Sequence, residues 1–218
     1  MKRFFEKTLK IYDHEFAGFV WLAIIFFAVF FVTAIFRNYV DTAFLKRYGP
    51  DYIPWMLAIS AILTMIVLGY ADRIAKRFSD SYLIILVFAG YAAAAVLCWL
   101  MVKSKMSIVY PVLYQLMGLL DSLLLVYLWN IAGDLFDARQ GRRLFPLVTA
   151  SQVLGTTIGS FATRPITYGI GEDASLLVFA TVFVITAAFM LKTCRSVVGD
   201  PKPKKAATAK QAEKKLLS

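Results

Sequence analysis

Asp121 stands inside an apolar run, Ser107 to Trp129, that holds no other charged residue. A carboxylate in a membrane-length segment is costly against acyl chains, so such residues face a bundle interior or a cavity. Tyr114, Ser122 and Trp129 share a broad helical face with Asp121, and Gln115 sits at its edge. This group has the chemistry of a substrate or proton pathway. It equally has the chemistry of a structural acid bonded to a hydroxyl or amide on a neighbouring helix. No basic residue lies at comparable depth in the other apolar runs, so an ion pair within the chain is not expected. Directly after this run come Asp134, Asp137, Arg139, Arg142 and Arg143, a charged turn before the next apolar stretch opens at Pro146.

Other chemistries are poorly supplied. The single histidine, His14, has no companion ligands, and the two cysteines, Cys98 and Cys194, lie in or at the end of apolar runs. That excludes a metal-spaced cluster, a disulfide framework and a nucleophile–base pair. No glycine loop of the phosphate-cradling kind occurs in the turns, so neither an enzyme nor a bound cofactor is expected. The net charge is +10, but the basic residues sit at segment ends and in the tail. They suit anionic headgroups at a membrane surface, and nucleic acid is not an expected partner.

The elements that must position Asp121 follow from hydropathy. The chain has 218 residues and is 60% hydrophobic, against roughly 45–50% in ordinary soluble domains. Its charges cluster between long apolar runs, the pattern of an all-α polytopic membrane protein. Six spans are expected: Phe16–Phe36, Ile53–Tyr70, Tyr82–Val102, Ser107–Trp129, Leu144–Thr163 and Ser175–Leu191. Each approaches the ~20 residues needed to cross the hydrocarbon core, and backbone satisfaction in lipid makes them helices. Residues 1–15 read as an amphipathic surface flank, 16–195 as the six-helix domain, and 196–218 as a basic, disordered tail. With the N-terminus inside, eighteen basic residues flank the inner ends and six the outer ends. The positive-inside rule then places both termini in the cytoplasm.

The fifth span carries Ser151, Gly155 and Gly159 at four-residue spacing. Small residues in that register let two helix backbones approach closely, so this is an expected packing face.

Two stretches carry a family resemblance. The turn after the second span reads Gly69-Tyr70-Ala71-Asp72-Arg73-Ile74-Ala75-Lys76-Arg77. It resembles the major facilitator motif between that family's second and third helices, with Ala75 where a glycine is usual. The segment Leu128 to Asp134, then Arg142-Arg143-Leu144-Phe145-Pro146-Leu147, resembles the fourth-to-fifth-helix region of the ATP/ADP antiporter-like nucleotide carriers and their bacterial relatives. The stretch with Arg37, Asp41, Phe44, Leu45 and Gly49 resembles those carriers' first outer loop. The resemblance implies one six-helix half of a facilitator fold in a bacterial inner membrane. It implies a cytoplasmic gate from Gly69, Asp72, Arg73, Lys76, Arg77, Asp134, Arg139, Arg142 and Arg143. It also implies an anionic, nucleotide-like solute. The lysine those carriers hold in their first helix is missing from Phe16–Phe36, and a facilitator needs two halves with its site between them. Two functions follow. One is a half-transporter that pairs with a second copy or a second half. The other is a non-transporting scaffold or anchor among other membrane subunits.

Overall fold

A computed structural model describes residues 13–75, 80–104, 106–171 and 175–197. Most of the expected surface flank and basic tail lies outside these residues, as do Lys76 and Arg77. The described chain is all-α, with six helices: α1 Asp13–Tyr48, α2 Ile53–Ala75, α3 Asp80–Lys103, α4 Val109–Leu135, α5 Ala138–Ile170 and α6 Ser175–Val197. A short 3-10 turn, Pro50–Tyr52, joins α1 to α2. Five helices are long and apolar enough to cross a membrane, while α6 carries a shorter apolar stretch, Leu176–Met190. By length and composition this is a helical membrane protein.

The first helix departs most from expectation. Its span was expected to stop at Phe36, yet the helix runs twelve residues further, to Tyr48. Hydropathy falls at Arg37 and Asn38, but nothing there breaks a helix. The stop comes at Gly49, whose φ of 78° suits glycine, and Pro50 follows. The Gly49 N–H closes the end by donating to the Leu45 carbonyl at 3.0 Å. At its other end α5 is also longer than expected. It starts at Ala138 behind a capping box, in which the Asp137 N–H donates to Gln140 Oε1 at 2.9 Å. Pro146 therefore lies inside α5 rather than opening it.

α1 forms the centre of the bundle. Leu22, Ile25, Phe26, Val29, Val32, Ile35 and Phe36 are buried along it. Phe36 stacks on Phe179 of α6 at 4.3 Å, and Phe183 meets Phe88 of α3 edge-on at 5.0 Å. The principal packed pairs are α1–α5, α3–α6, α1–α6, α3–α4, α1–α4 and α2–α4. Exchanging α1, α2 and α3 for α4, α5 and α6 returns the same set of pairs. The bundle thus packs as two three-helix units in equivalent relation to each other.

Candidate functional site: a polar groove along α1, α4 and α5

Because α1 continues past Phe36, Arg37 is inside a helix and not in an outer flank. Its Nη2 donates to Oδ2 of Asp121, forming an ion pair between α1 and α4. This corrects the expectation that Asp121 has no basic partner in the chain. The structure also places Asp121 near the middle of α4. The fourth helix extends six residues beyond Trp129, so Asp121 lies twelve residues from one end and fourteen from the other. The pair is not enclosed: the Arg37 side chain is 51% exposed and that of Asp121 28%. Asp41, one turn along α1, is close enough to interact electrostatically with both.

The pair opens into a hollow of about 250 Å³ whose polar lining includes Thr33, Asn38, Gln152, Thr156 and Ser160. A second hollow of about 350 Å³ shares Asn38 and Ser160 and extends to Thr163, Arg164 and Thr167. Together they make a polar groove along membrane-length helices. The α5 side comes from one stripe at helical spacing, Gln152, Thr156, Ser160, Thr163 and Thr167. Asn38 donates to Thr163 Oγ1 at 3.0 Å, and Thr163 in turn donates to the Gly159 carbonyl at 3.0 Å. Hydroxyls that bond back into their own helix remain satisfied beside lipid or solute.

The wall of the groove is set by backbone contact. A Cβ added to Gly155 would lie 2.5 Å from the Phe27 carbonyl oxygen, and one on Gly159 would overlap that of Phe31. These two glycines therefore face α1 directly. Ser151 is part-buried in the same register and donates to the Leu147 carbonyl at 3.2 Å.

The other members of the expected pathway do not line the groove. Gln115 is used between helices: its Nε2 donates to the Met56 carbonyl at 3.1 Å and its Oε1 accepts from Ser60 at 2.7 Å. Tyr114 is buried against Phe44, ring centroids 4.9 Å apart. Trp129 sits edge-on between Phe26 and Phe145, at 5.3 and 5.5 Å. Ser122 donates to the Gly118 carbonyl within its own helix. Only Asp121 of that stripe reaches the groove.

The expected gate divides. Arg143 donates through one Nη to both carboxylate oxygens of Glu15, at 3.0 and 3.2 Å, and Glu15 is buried. A Cβ on Gly18 would lie 3.5 Å from Leu135, so the start of α1, the end of α4 and the start of α5 meet at one end of the bundle. Asp134, Arg139 and Arg142 are exposed at that end. Gly69 is exposed, with open space where a Cβ would go. Asp72 and Arg73 fall in the last turn of α2, and their side chains lie outside the described residues. Compared with known proteins, the chain matches no family, no curated protein and no solved structure.

Proposed function

We propose that this bundle is half of a facilitator-type solute carrier, with the α1–α4–α5 groove as its half of the pathway. One observation carries the reading. A charge pair well inside two long apolar helices, at mid-length of α4 and eleven residues from the end of α1, is partly exposed. Charges at that depth have no stable place against acyl chains, so water, solute or a second body covers them. The equivalence of α1–α3 and α4–α6 supports it, because facilitator halves are built from two inverted three-helix repeats. A second six-helix body, whether a copy or a second half, completes the pathway. Both termini then lie in the cytoplasm of a bacterial inner membrane. The anionic, nucleotide-like solute of the family resemblance would first meet Arg139 and Arg142, exposed at the end of the bundle.

A scaffold subunit is the second reading. It uses the Arg37–Asp121 pair as a fixed pin between α1 and α4, enclosed by a partner. Water access separates the two. In a chain with Cys98 and Cys194 replaced by alanine, Thr156→Cys reports from the groove wall. A carrier predicts labelling in membranes by a water-soluble, membrane-impermeant thiol reagent. Labelling by lipid-soluble maleimide alone would remove the carrier and leave the scaffold.

A further inference from the structure

The hollow holds both signs of charge side by side. Arg37 is bonded to Asp121 through a single N–H, and about half of its side-chain surface stays exposed. The rest of the polar lining is uncharged, chiefly Asn38, Gln152, Thr156 and Ser160. Arg164 lines the continuation of the groove, and Asp41 lies one turn beyond Arg37. The hollow itself therefore carries one charge of each sign, Arg37 and Asp121.

That balance selects among solutes. An anion drawn to Arg37 approaches the Asp121 carboxylate, a like charge. A cation drawn to Asp121 approaches the Arg37 guanidinium. Either one splits the pair and leaves one member without a partner, which is costly away from bulk water. A solute carrying both signs replaces one ion pair by two and leaves no charge uncompensated. It also adds no net charge to membrane-length helices.

We infer that the hollow binds a small zwitterion of the amino-acid type, its carboxylate on Arg37 and its ammonium on Asp121. This rests on the groove being a solute site, and at that site a zwitterion takes the place of the anionic, nucleotide-like solute that the family resemblance implies. Around the two charges, hydroxyls and amides of Thr156, Ser160 and Gln152 supply hydrogen bonds to a polar side chain.

The test uses the purified full chain in mild detergent, with thermal unfolding recorded against each of the twenty protein amino acids in turn. At least one should raise the Tm. Its N-acetyl form lacks the ammonium and its methyl ester lacks the carboxylate. Each should bind about thirtyfold more weakly or worse, the usual effect of removing one partner of a desolvated charge pair. Arg37→Gln and Asp121→Asn should abolish the response. Ser160→Phe leaves the pair intact and fills the hollow, so it should keep the unliganded Tm and lose the response. No response to any amino acid would overturn the proposal, as would equal responses to the N-acetyl form. Amino-acid binding without uptake into liposomes would keep this site and remove the carrier. Uptake of ATP that depends on Arg37, with no amino-acid response, would keep the carrier and remove this site.

Discussion

The α1–α5 and α2–α4 seams both join the two three-helix units and are exchanged when the units are exchanged, yet they are held differently. Along α1–α5 the backbones touch at Gly155 and Gly159, and the Asn38–Thr163 bond and the Glu15–Arg143 pair lie further along. Along α2–α4 a Cβ on Gly118 would meet only the Ser60 side chain, and Gln115 makes hydrogen bonds across the seam to Met56 and Ser60. Accordingly α2 leaves Leu57, Ile62, Met65 and Ile66 exposed. In water such exposure would be a fault. In lipid, apolar surface gains little by leaving acyl chains for protein, so small residues and hydrogen bonds decide which helices bind closely. The contrast marks α1–α5 as the rigid wall of the groove and α2 as a lipid-facing strut. Tyr52, Trp55 and Tyr70, exposed near the ends of α2, fit that role as interfacial anchors.

The largest expected effect breaks the tight seam. Gly159→Leu drives a side chain into the Phe31 backbone, which cannot withdraw without separating α1 from α5. The destabilisation should reach about 3 kcal/mol or more, read as loss of folded protein or a lowered Tm in detergent. Gly90→Leu is the control, since open space surrounds that position on α3. Equal losses from both variants would mean that generic helix effects, and not the seam, dominate.

Next in size is the pair that crosses from α1 to α4. Arg37→Met alone or Asp121→Leu alone should cost about 1–2 kcal/mol. That is less than for an enclosed pair, because Arg37 is half exposed. The double variant should recover most of that loss, since it leaves no orphaned charge. A double-mutant cycle in thermal unfolding checks it, and additive losses would show that the two groups act independently.

These effects also mark what was legible in the sequence. Gly155 and Gly159 were legible because four-residue spacing of small side chains has one physical use between membrane helices. Asp121 was legible as a residue needing a partner. The partner was not, because hydropathy ends a span at the first charge while a helix ends at a backbone break. In α1 those points are twelve residues apart, Phe36 against Tyr48, and Arg37 lies between them. The α5 stripe from Gln152 to Thr167 was present at helical spacing, but a hydroxyl stripe and a glycine stripe on one helix compete for attention. The helical face expected of α4 is broader than the part of it that meets the groove. Gln115 lies six residues from Asp121, about 120° round the helix at 3.6 residues per turn, and so it serves α2 instead of the groove.

The smallest expected effect sharpens the contrast at the loose seam. Gln115 makes its bonds to α2 through one amide, and Ser60 is the partner whose hydroxyl also meets Gly118. Hydrogen bonds between membrane helices average about 0.6 kcal/mol in double-mutant cycles, because the separated helices find other partners. Gln115→Leu and Ser60→Ala should therefore each lower stability by roughly that amount, and together by little more than either alone. Thermal unfolding in detergent can resolve this only against the larger Gly159→Leu shift, so the three belong in one series. A loss at Gln115 as large as that at Gly159 would make α2 a structural equal of α5 and undo the assignment of α2 as a strut. A small, non-additive loss would leave α2 tethered by a bond that can be remade, beside an α1–α5 wall that cannot slide without its glycines.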